Sequence, residues 1–458
     1  MSLFIVGLDV TAVNVALPAI GDHLDAELSW LQWSVSAYTV VMASLLLFAG
    51  AAADRFGRKR TLTIGLSVFT VASALCSLAP TIELLVAARV LQGVGASMLN
   101  PVAMSIITNT FTDPRERAQA VGVWGAVFGA SLALGPIFGG VLVSTAGWEW
   151  IFLINVPLGL TAVALLRRFV PESKAPTPRR FDPVGQGLVV VLLGSVTYGI
   201  IEAPNAGWTS PSILTAFAAA IVSLVGLLLY EPRRRDPLID LRFFRSIPFS
   251  SSIALAVAAF ASFGGFLFLN TLYLQEVRGV SPVEAGLAVV PIALMTVLLS
   301  PGSGRMVGRS GPRKPLMIAG LSLFLGSCML VEIDPTTPFA WLVAAYVVFG
   351  IGIGFVNAPI TNAAISGMPV AQAGVAAAVA TTSRQFGQAI GVALVGAIAA
   401  SGAGTSAADL SSASHPAWWT LTGMGALIFV LALLATGRRA RESARRTAVQ
   451  LNPEAARA

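Results

Sequence analysis

The chain has 458 residues, of which 55% are hydrophobic and only 11% charged, with a mean hydropathy of +0.79. Soluble domains carry about 25% charged residues, so a soluble fold is excluded. The formal charge of +7 does not point to nucleic acid, because its excess lies in short gaps beside apolar runs, where it reads as topology and attraction to anionic lipid.

A helix needs about 20 apolar residues to cross a hydrocarbon core about 30 Å thick. Runs of that length predict fourteen crossings, at about 3–20, 30–52, 61–80, 84–107, 118–143, 148–168, 184–203, 211–230, 248–274, 283–303, 315–333, 339–365, 372–400 and 417–437. Of the 29 basic residues, 26 fall in the gaps 54–60, 109–117, 167–182, 231–245 and 304–314 and in the tail 438–458. These are every second gap. Basic loops stay in the cytoplasm during insertion, so both termini are expected there. Cys76 and Cys328 both fall inside apolar runs, which leaves no disulfide framework.

In chain order, the first run contains Asp9 and Asn14, and no basic residue precedes Arg55. It therefore reads as a crossing and not as a signal peptide. A charge at the bilayer centre costs about 2.5–3.5 kcal/mol on insertion scales, so Asp9 needs a cavity or a partner. It is the only acid placed well inside a crossing. The gap after the second run reads GAAADRFGRKR, Gly50 to Arg60. The fourth run contains Arg89, about five residues or 8 Å from its outer end, followed by Gln92, Gly93 and Gly95. Guanidinium stays charged at any accessible pH, so Arg89 cannot carry a proton, but it can hold a carboxylate ionised. The fifth run contains Gly122, Gly125, Gly129, Gly135, Pro136, Gly139 and Gly140. Two of its spacings are GxxxG, which lets helix backbones approach closely, and Pro136 can kink the helix.

The gap after the tenth run, Gly304 to Lys314, repeats the Gly50–Arg60 turn at an offset of 254, with Gly311 aligned on Gly57 and Gly308 on Asp54. Two homologous halves are characteristic of transporters that rock around a central site. Six crossings fit each half: 1–168 and 247–437, with 169–246 as two inserted crossings with linkers and 438–458 as a basic cytoplasmic tail. Both repeat glycines sit where φ > 0 or a close helix approach is needed. Arg384 lies about twelve residues into the thirteenth crossing. Trp33, Tyr38, Trp124, Asn270, Gln275, Asn357 and Asn362 are suited to lining a cavity together with Asn14 and Arg384. For the aromatics, packing or an interfacial belt is the competing reading.

GAAADRFGRKR resembles the loop signature of the major facilitator superfamily. Four further segments resemble motifs of its fourteen-helix drug–proton antiporters: LDVTAVNVALP (Leu8 to Pro18), LVAARVLQGVGA (Leu85 to Ala96), GASLALGPIFGG (Gly129 to Gly140) and WEWIFLINVP (Trp148 to Pro157). They occur in the family's order, and the resemblance covers essentially the whole chain. Two features depart from the pattern: Glu149 stands where the family usually has a basic residue, and the external segment 401–416 is short.

The resemblance implies an all-α membrane protein of the major facilitator fold that exports amphipathic small molecules, drugs or antibiotics, in exchange for protons. A proton-coupled importer or facilitator is the alternative, and a non-transporting sensor a weaker one. It also implies proton coupling through Asp9 and Arg89 as an alternating charge pair. A cytoplasmic latch is implied at Asp54, Arg55, Gly57 and Arg58, with Arg117 as partner to Asp54, and a pivot helix at Gly129, Gly135, Pro136, Gly139 and Gly140. The competing readings are a structural Asp9 facing Asn14, an Arg89 bound to backbone carbonyls, and a solvated Asp54. No HExxH, GxSxG or GxxxxGK[ST] occurs, so neither an enzyme nor an ATP-driven cycle is expected. The expected partners are the small-molecule substrate, protons and anionic lipid, with no nucleic acid, no cofactor and no metal. A monomer in a bacterial cytoplasmic membrane is expected, the source being read from 26 arginines against 3 lysines.

Overall fold

The computed structural model describes residues 1–111, 113–175, 181–234, 236–402 and 407–451. Its helices are α1 (Ser2–Leu24), α2 (Leu28–Phe56), α3 (Arg58–Ser77), α4 (Ile82–Ser97), α5 (Asn100–Thr110), α6 (Pro114–Ala146), α7 (Trp150–Leu153), α8 (Asn155–Phe169) and α9 (Pro183–Ala206). There follow α10 (Pro211–Tyr230), α11 (Ile247–Leu272), α12 (Pro282–Ala288), α13 (Val290–Ser310), α14 (Arg313–Cys328), α15 (Phe339–Ile365), α16 (Val370–Gly402), α17 (Ala407–Leu434) and α18 (Arg438–Leu451). Among the described residues there are no strands, and 12 helices are long and apolar enough to cross a membrane. The predicted run 315–333 falls on α14, which has 16 residues. The run 372–400 falls on α16, which has 33. Residues 403–406 of the short outer segment and 452–458 of the tail lie outside the described residues.

Local chemistry sets the helix ends. The side chains of Asp113, Asp182 and Ser281 accept from the first free N–H groups of α6, α9 and α12, and each of these helices begins with proline. Proline costs nothing there, because that N–H has no intrahelical partner. The two repeat glycines close α2 and α13 with φ of +113° at Gly57 and +78° at Gly311, a region that disfavours side chains. The repeated turn is therefore the same backbone device in both halves.

The apolar surface is turned outward as well as inward. In α10 only 17% of an apolar window is buried, and Ile221 and Val222 are exposed. A helix that is apolar on all sides and lies outside a packed core needs lipid around it. α9 packs on α10 and also lies against α2 and α16.

The two ends of the molecule differ. At the end away from the basic turns the halves are joined. Gln32 of α2 donates Nε2 to the carbonyls of Val392 (3.1 Å) and Ala393 (2.9 Å), and Gln275 donates to Val15 O at 2.8 Å. A Cβ on Gly140 would lie 2.5 Å from Pro282 O, and one on Gly129 2.8 Å from Val297. Toward the basic end a Cβ built on Gly122, Gly125, Gly302 or Gly304 would meet open space. Gln275, expected in a cavity wall, instead serves this closure.

Candidate functional site

Asp9 lies on α1 and is fully buried, as is Arg89 on α4, which is 1% exposed. Arg89 Nη1 donates to Asp9 Oδ2 at 2.6 Å. The other carboxylate oxygen accepts from Gln92 Nε2 at 2.9 Å and from Asn155 Nδ2 at 3.3 Å. Arg89 also donates Nε to Ser34 O at 2.8 Å, and its guanidinium stands 4.2 Å from the ring centre of Tyr38. Gln92 donates in addition to Ser73 Oγ at 2.9 Å. Four helices of the first half, α1, α2, α4 and α8, thus contribute directly to one ion pair, and α3 braces it through Ser73. The pairing of Asp9 with Arg89 is as expected, and Ser34 O shows that a backbone carbonyl shares Arg89 with the acid.

A buried ion pair persists only when its remaining lone pairs and protons are also satisfied. Gln92 and Asn155 do this for the second oxygen of Asp9. Both lie in the motifs named above, yet sequence reasoning gives neither a role, because an amide in an apolar run carries no charge to betray it. Spacing is the available signal for Gln92, which is one turn from Arg89 and so shares its face.

α6 lies between this pair and the second half. A Cβ on Gly139 would come within 3.0 Å of the Ala12 backbone, and one on Gly135 would collide with Thr11 Oγ1. Thr11 and Ala12 are two and three residues past Asp9 on α1. Gly129 and Gly140 face the other way, onto Val297 and Pro282, and Gly286 packs directly on the Pro136 carbonyl. The glycines predicted as a packing motif therefore bind the helix that carries Asp9 on one face and the opposite half on another.

The turn at the basic end departs from expectation in one respect. Asp54 pairs with Arg58 at 2.8 Å, one turn away, while Arg117 donates Nε to Phe111 O at 3.0 Å. The backbone on either side is fixed by Ser173 O accepting from Arg58 N at 2.9 Å and by Asp54 O accepting from Ala175 N at 3.1 Å. Glu172 accepts from the backbone N–H groups of Lys59 (3.0 Å) and Arg60 (3.1 Å), an anion on the positive end of α3. Arg55 stacks on Phe181, 5.2 Å from its ring centre.

Gly57 is the tightest point of this turn. A Cβ there would lie 2.6 Å from the Glu172 carboxyl and would also have to adopt φ of +113°. Gly57→Ala is expected to cost on the order of 1–3 kcal/mol from the backbone alone and to loosen Glu172 from α3. Thermal unfolding in detergent reads this as a lowered midpoint, and an unchanged midpoint would show that the turn is not under this constraint.

The expected cavity residues separate into two groups. Asn14 Oδ1, Tyr38 OH, Trp124 Nε1, Asn270 Nδ2 and Arg384 Nε are buried and have no hydrogen-bond partner. Buried polar atoms are ordinarily satisfied, so these are the atoms available to water or a bound molecule. Arg384 is braced by the Thr361 hydroxyl and the Asn357 carbonyl, so Asn357 takes part through its backbone. Trp33 does not fit. Trp33 donates Nε1 to Glu202 Oε1 at 2.6 Å and so belongs to the contact between α2 and α9, while Asn362 is exposed on α15. Glu202 lies near the end of α9, one residue before the end of the predicted crossing 184–203.

The comparisons with known proteins agree with this arrangement. A family model described as Major Facilitator Superfamily matches residues 1–392. The chain is 35% identical over 400 residues to the "Multidrug resistance protein Stp" of Mycobacterium tuberculosis, covering 87% of this chain and 74% of that one. It is 36% identical over 393 residues to the "Methylenomycin A resistance protein" of Streptomyces coelicolor, covering 85% and 82%. A solved structure of the peptide transporter POT in complex with sulfate aligns over 96% of this chain and 94% of its own, with a TM-score of 0.66 and 17% identity, which shows a common fold. By sequence and by fold, this multi-pass membrane protein belongs to the major facilitator superfamily.

Proposed function

We propose that this protein exports amphipathic small molecules, drugs or antibiotics, across a bacterial cytoplasmic membrane in exchange for protons. In this reading it crosses the membrane fourteen times, as two six-helix bundles (1–168 and 247–437) with two crossings inserted between them, and both termini lie in the cytoplasm. The observation that carries the proposal is the buried Asp9–Arg89 pair at 2.6 Å, set beside the glycine face of α6. The relatives named for multidrug and antibiotic resistance support the substrate class.

The geometry gives the coupling a physical form. With Asp9 ionised, each of its oxygens has at least one donor, and Arg89 has its counter-charge. A proton on Asp9 would leave Arg89 buried without an anion, a loss of about 3–5 kcal/mol when a buried pair is broken. Proton uptake therefore favours any movement of α1 that gives Arg89 other acceptors or water. α1 cannot move alone, because Thr11 and Ala12 are seated against Gly135 and Gly139, and α6 in turn is seated on the second half. The same displacement that accommodates the proton thus shifts the contact between halves, which is what alternating access requires. The halves are joined at one end through Gln32 and Gln275, and the open space at Gly122 and Gly302 toward the other supports a state open to the cytoplasm.

Inverted vesicles energised to an acidic lumen provide the test, using a panel of cationic dyes and antibiotics. Addition of a transported compound is expected to release protons from the lumen, in proportion to the compound taken up. Uptake of a panel compound with no proton movement would remove the antiport reading. Protons and substrate moving in the same direction would identify an importer.

A further inference from the structure

The two helices inserted between the halves end in a pocket built of oxygen acceptors. Asp182 precedes α9 and Glu231 follows α10; they are 5% and 2% exposed. A Cβ built on Gly185 would stand 2.6 Å from Glu231 Oε1 and 2.9 Å from Asp182 Oδ2, so both carboxyls face one point. Asp182 Oδ1 is occupied: it accepts from Gly185 N at 3.0 Å and from Tyr230 OH at 3.2 Å. The atoms turned toward the pocket are poorly satisfied. Asp182 Oδ2 lacks a hydrogen-bond partner, as does Gln186 Oε1 one turn along α9, and the Glu231 oxygens have only the longer approach of the Leu238 and Ile239 N–H groups.

Charge does not close the account either. Among the described residues, the charged and titratable groups around the pocket are Asp182, Glu231, Tyr230 and Arg234, and the one guanidinium stands 3.8 Å from Asp182 Oδ2, at its nearest approach. α2 contributes only the Ser44 carbonyl, which accepts from Gln186 Nε2 at 2.5 Å. Two carboxylates and one cation leave a net negative charge, and Glu231 is held by no donor closer than the Leu238 and Ile239 N–H groups. Buried carboxyls in that arrangement cannot both stay ionised without great cost. A single proton between them supplies both the missing donor and the missing charge.

We propose that Asp182 and Glu231 form a second proton-binding site, separate from Asp9, that holds one proton between the two carboxyls at the basic end of the inserted helices. Asp9 and its partners all belong to α1, α2, α3, α4 and α8, whereas this pair belongs to the ends of α9 and α10, with Gln186 beside it on α9 bonded to Ser44 O of α2. The two sites share no residue. The bound proton ties the end of α9 to the end of α10, and α9 lies against both α2 and α16. Occupancy of this site therefore acts where the inserted helices meet the two halves.

Infrared difference spectra of the purified protein in lipid nanodiscs, stepped through neutral pH, read protonated carboxyls through their C=O stretch. The expected result is a carboxyl band at neutral pH that Glu231→Gln removes and Asp9→Asn leaves in place. Glutamine has the same shape as the acid and brings its own donors, so the variant is expected to fold. Thermal midpoints give an independent reading. A proton held in the fold but not in the unfolded chain stabilises at low pH, and that contribution is lost as pH rises through neutrality. The wild-type midpoint is expected to fall over that interval and the Glu231→Gln midpoint to fall less. An identical band and an identical slope in wild type and Glu231→Gln would overturn the proposal. So would a midpoint raised by sodium and not by acid, which would assign the pocket to a metal cation. Neither measurement uses transport, so failure here is distinct from failure of the export reading.

Discussion

Asp9→Asn is expected to abolish proton-coupled export while leaving a folded protein in the membrane. Asparagine keeps the size of the side chain and can still accept from Gln92 and Asn155, so the polar network survives in part. What is lost is the negative charge. Arg89, 1% exposed, then retains the Ser34 carbonyl, Gln92 and the Tyr38 and Phe152 rings but no anion. The variant should therefore be less stable, by up to the roughly 3–5 kcal/mol that breaking a buried pair costs.

Arg89→Ala should be worse for stability, because it buries an uncompensated carboxylate and also removes the packing against Tyr38. Arg89→Lys restores the charge without the planar fork that reaches Asp9, Ser34 and Gln92 together, and should recover part of the coupling. The pair Asp9→Asn with Arg89→Gln separates the two roles: stability should return toward wild type, since no charge remains buried, and coupling should not. Substrate-induced proton release measured beside thermal midpoints distinguishes these outcomes. Full coupling in Asp9→Asn would place the coupling carboxyl elsewhere.

Part of this site is legible in the amino-acid sequence, and the reason is charge. Asp9 and Arg89 stand out in apolar runs because a lone charge there needs an explanation, and each is the obvious answer to the other. Gln92 and Asn155 do not stand out, since a neutral amide is tolerated wherever one partner exists. The family resemblance pairs Asp54 with the remote Arg117, although Arg58, one turn on, is in reach. A local partner costs less chain ordering than a remote one. Trp33 reads as a cavity residue because it is aromatic, with packing as the competing reading, and nothing in the sequence says that α9 docks against it with Glu202. Asp182 and Glu231 sit at the borders of basic gaps, where acids ordinarily read as solvated. Only the docking of α9 beside α10 buries them. Chemistry within a helix is readable from spacing, whereas chemistry between helices depends on which faces meet.

Gly139→Leu is expected to stop transport without stopping insertion. The added side chain has no room: a Cβ alone would lie within 3.0–3.1 Å of Ala12 Cα, O and Cβ, contacts that are mostly backbone and cannot turn aside. Leucine must push α6 away from α1, and α1 carries Asp9 three residues before Ala12. Insertion depends on hydropathy, which leucine raises, so the variant should reach the membrane in wild-type amounts. Gly122→Leu is the control, because that glycine has nothing within 4 Å in this conformation and lies on the same helix. If α6 serves only as a hydrophobic crossing, both variants should transport alike. If its glycine face transmits movement between the coupling pair and the second half, Gly139→Leu alone should lose substrate-induced proton release in this state. Wild-type release by Gly139→Leu would remove α6 from the coupling route. Binding and turnover measured on the same vesicles therefore distinguish a rigid crossing from a helix that carries the motion.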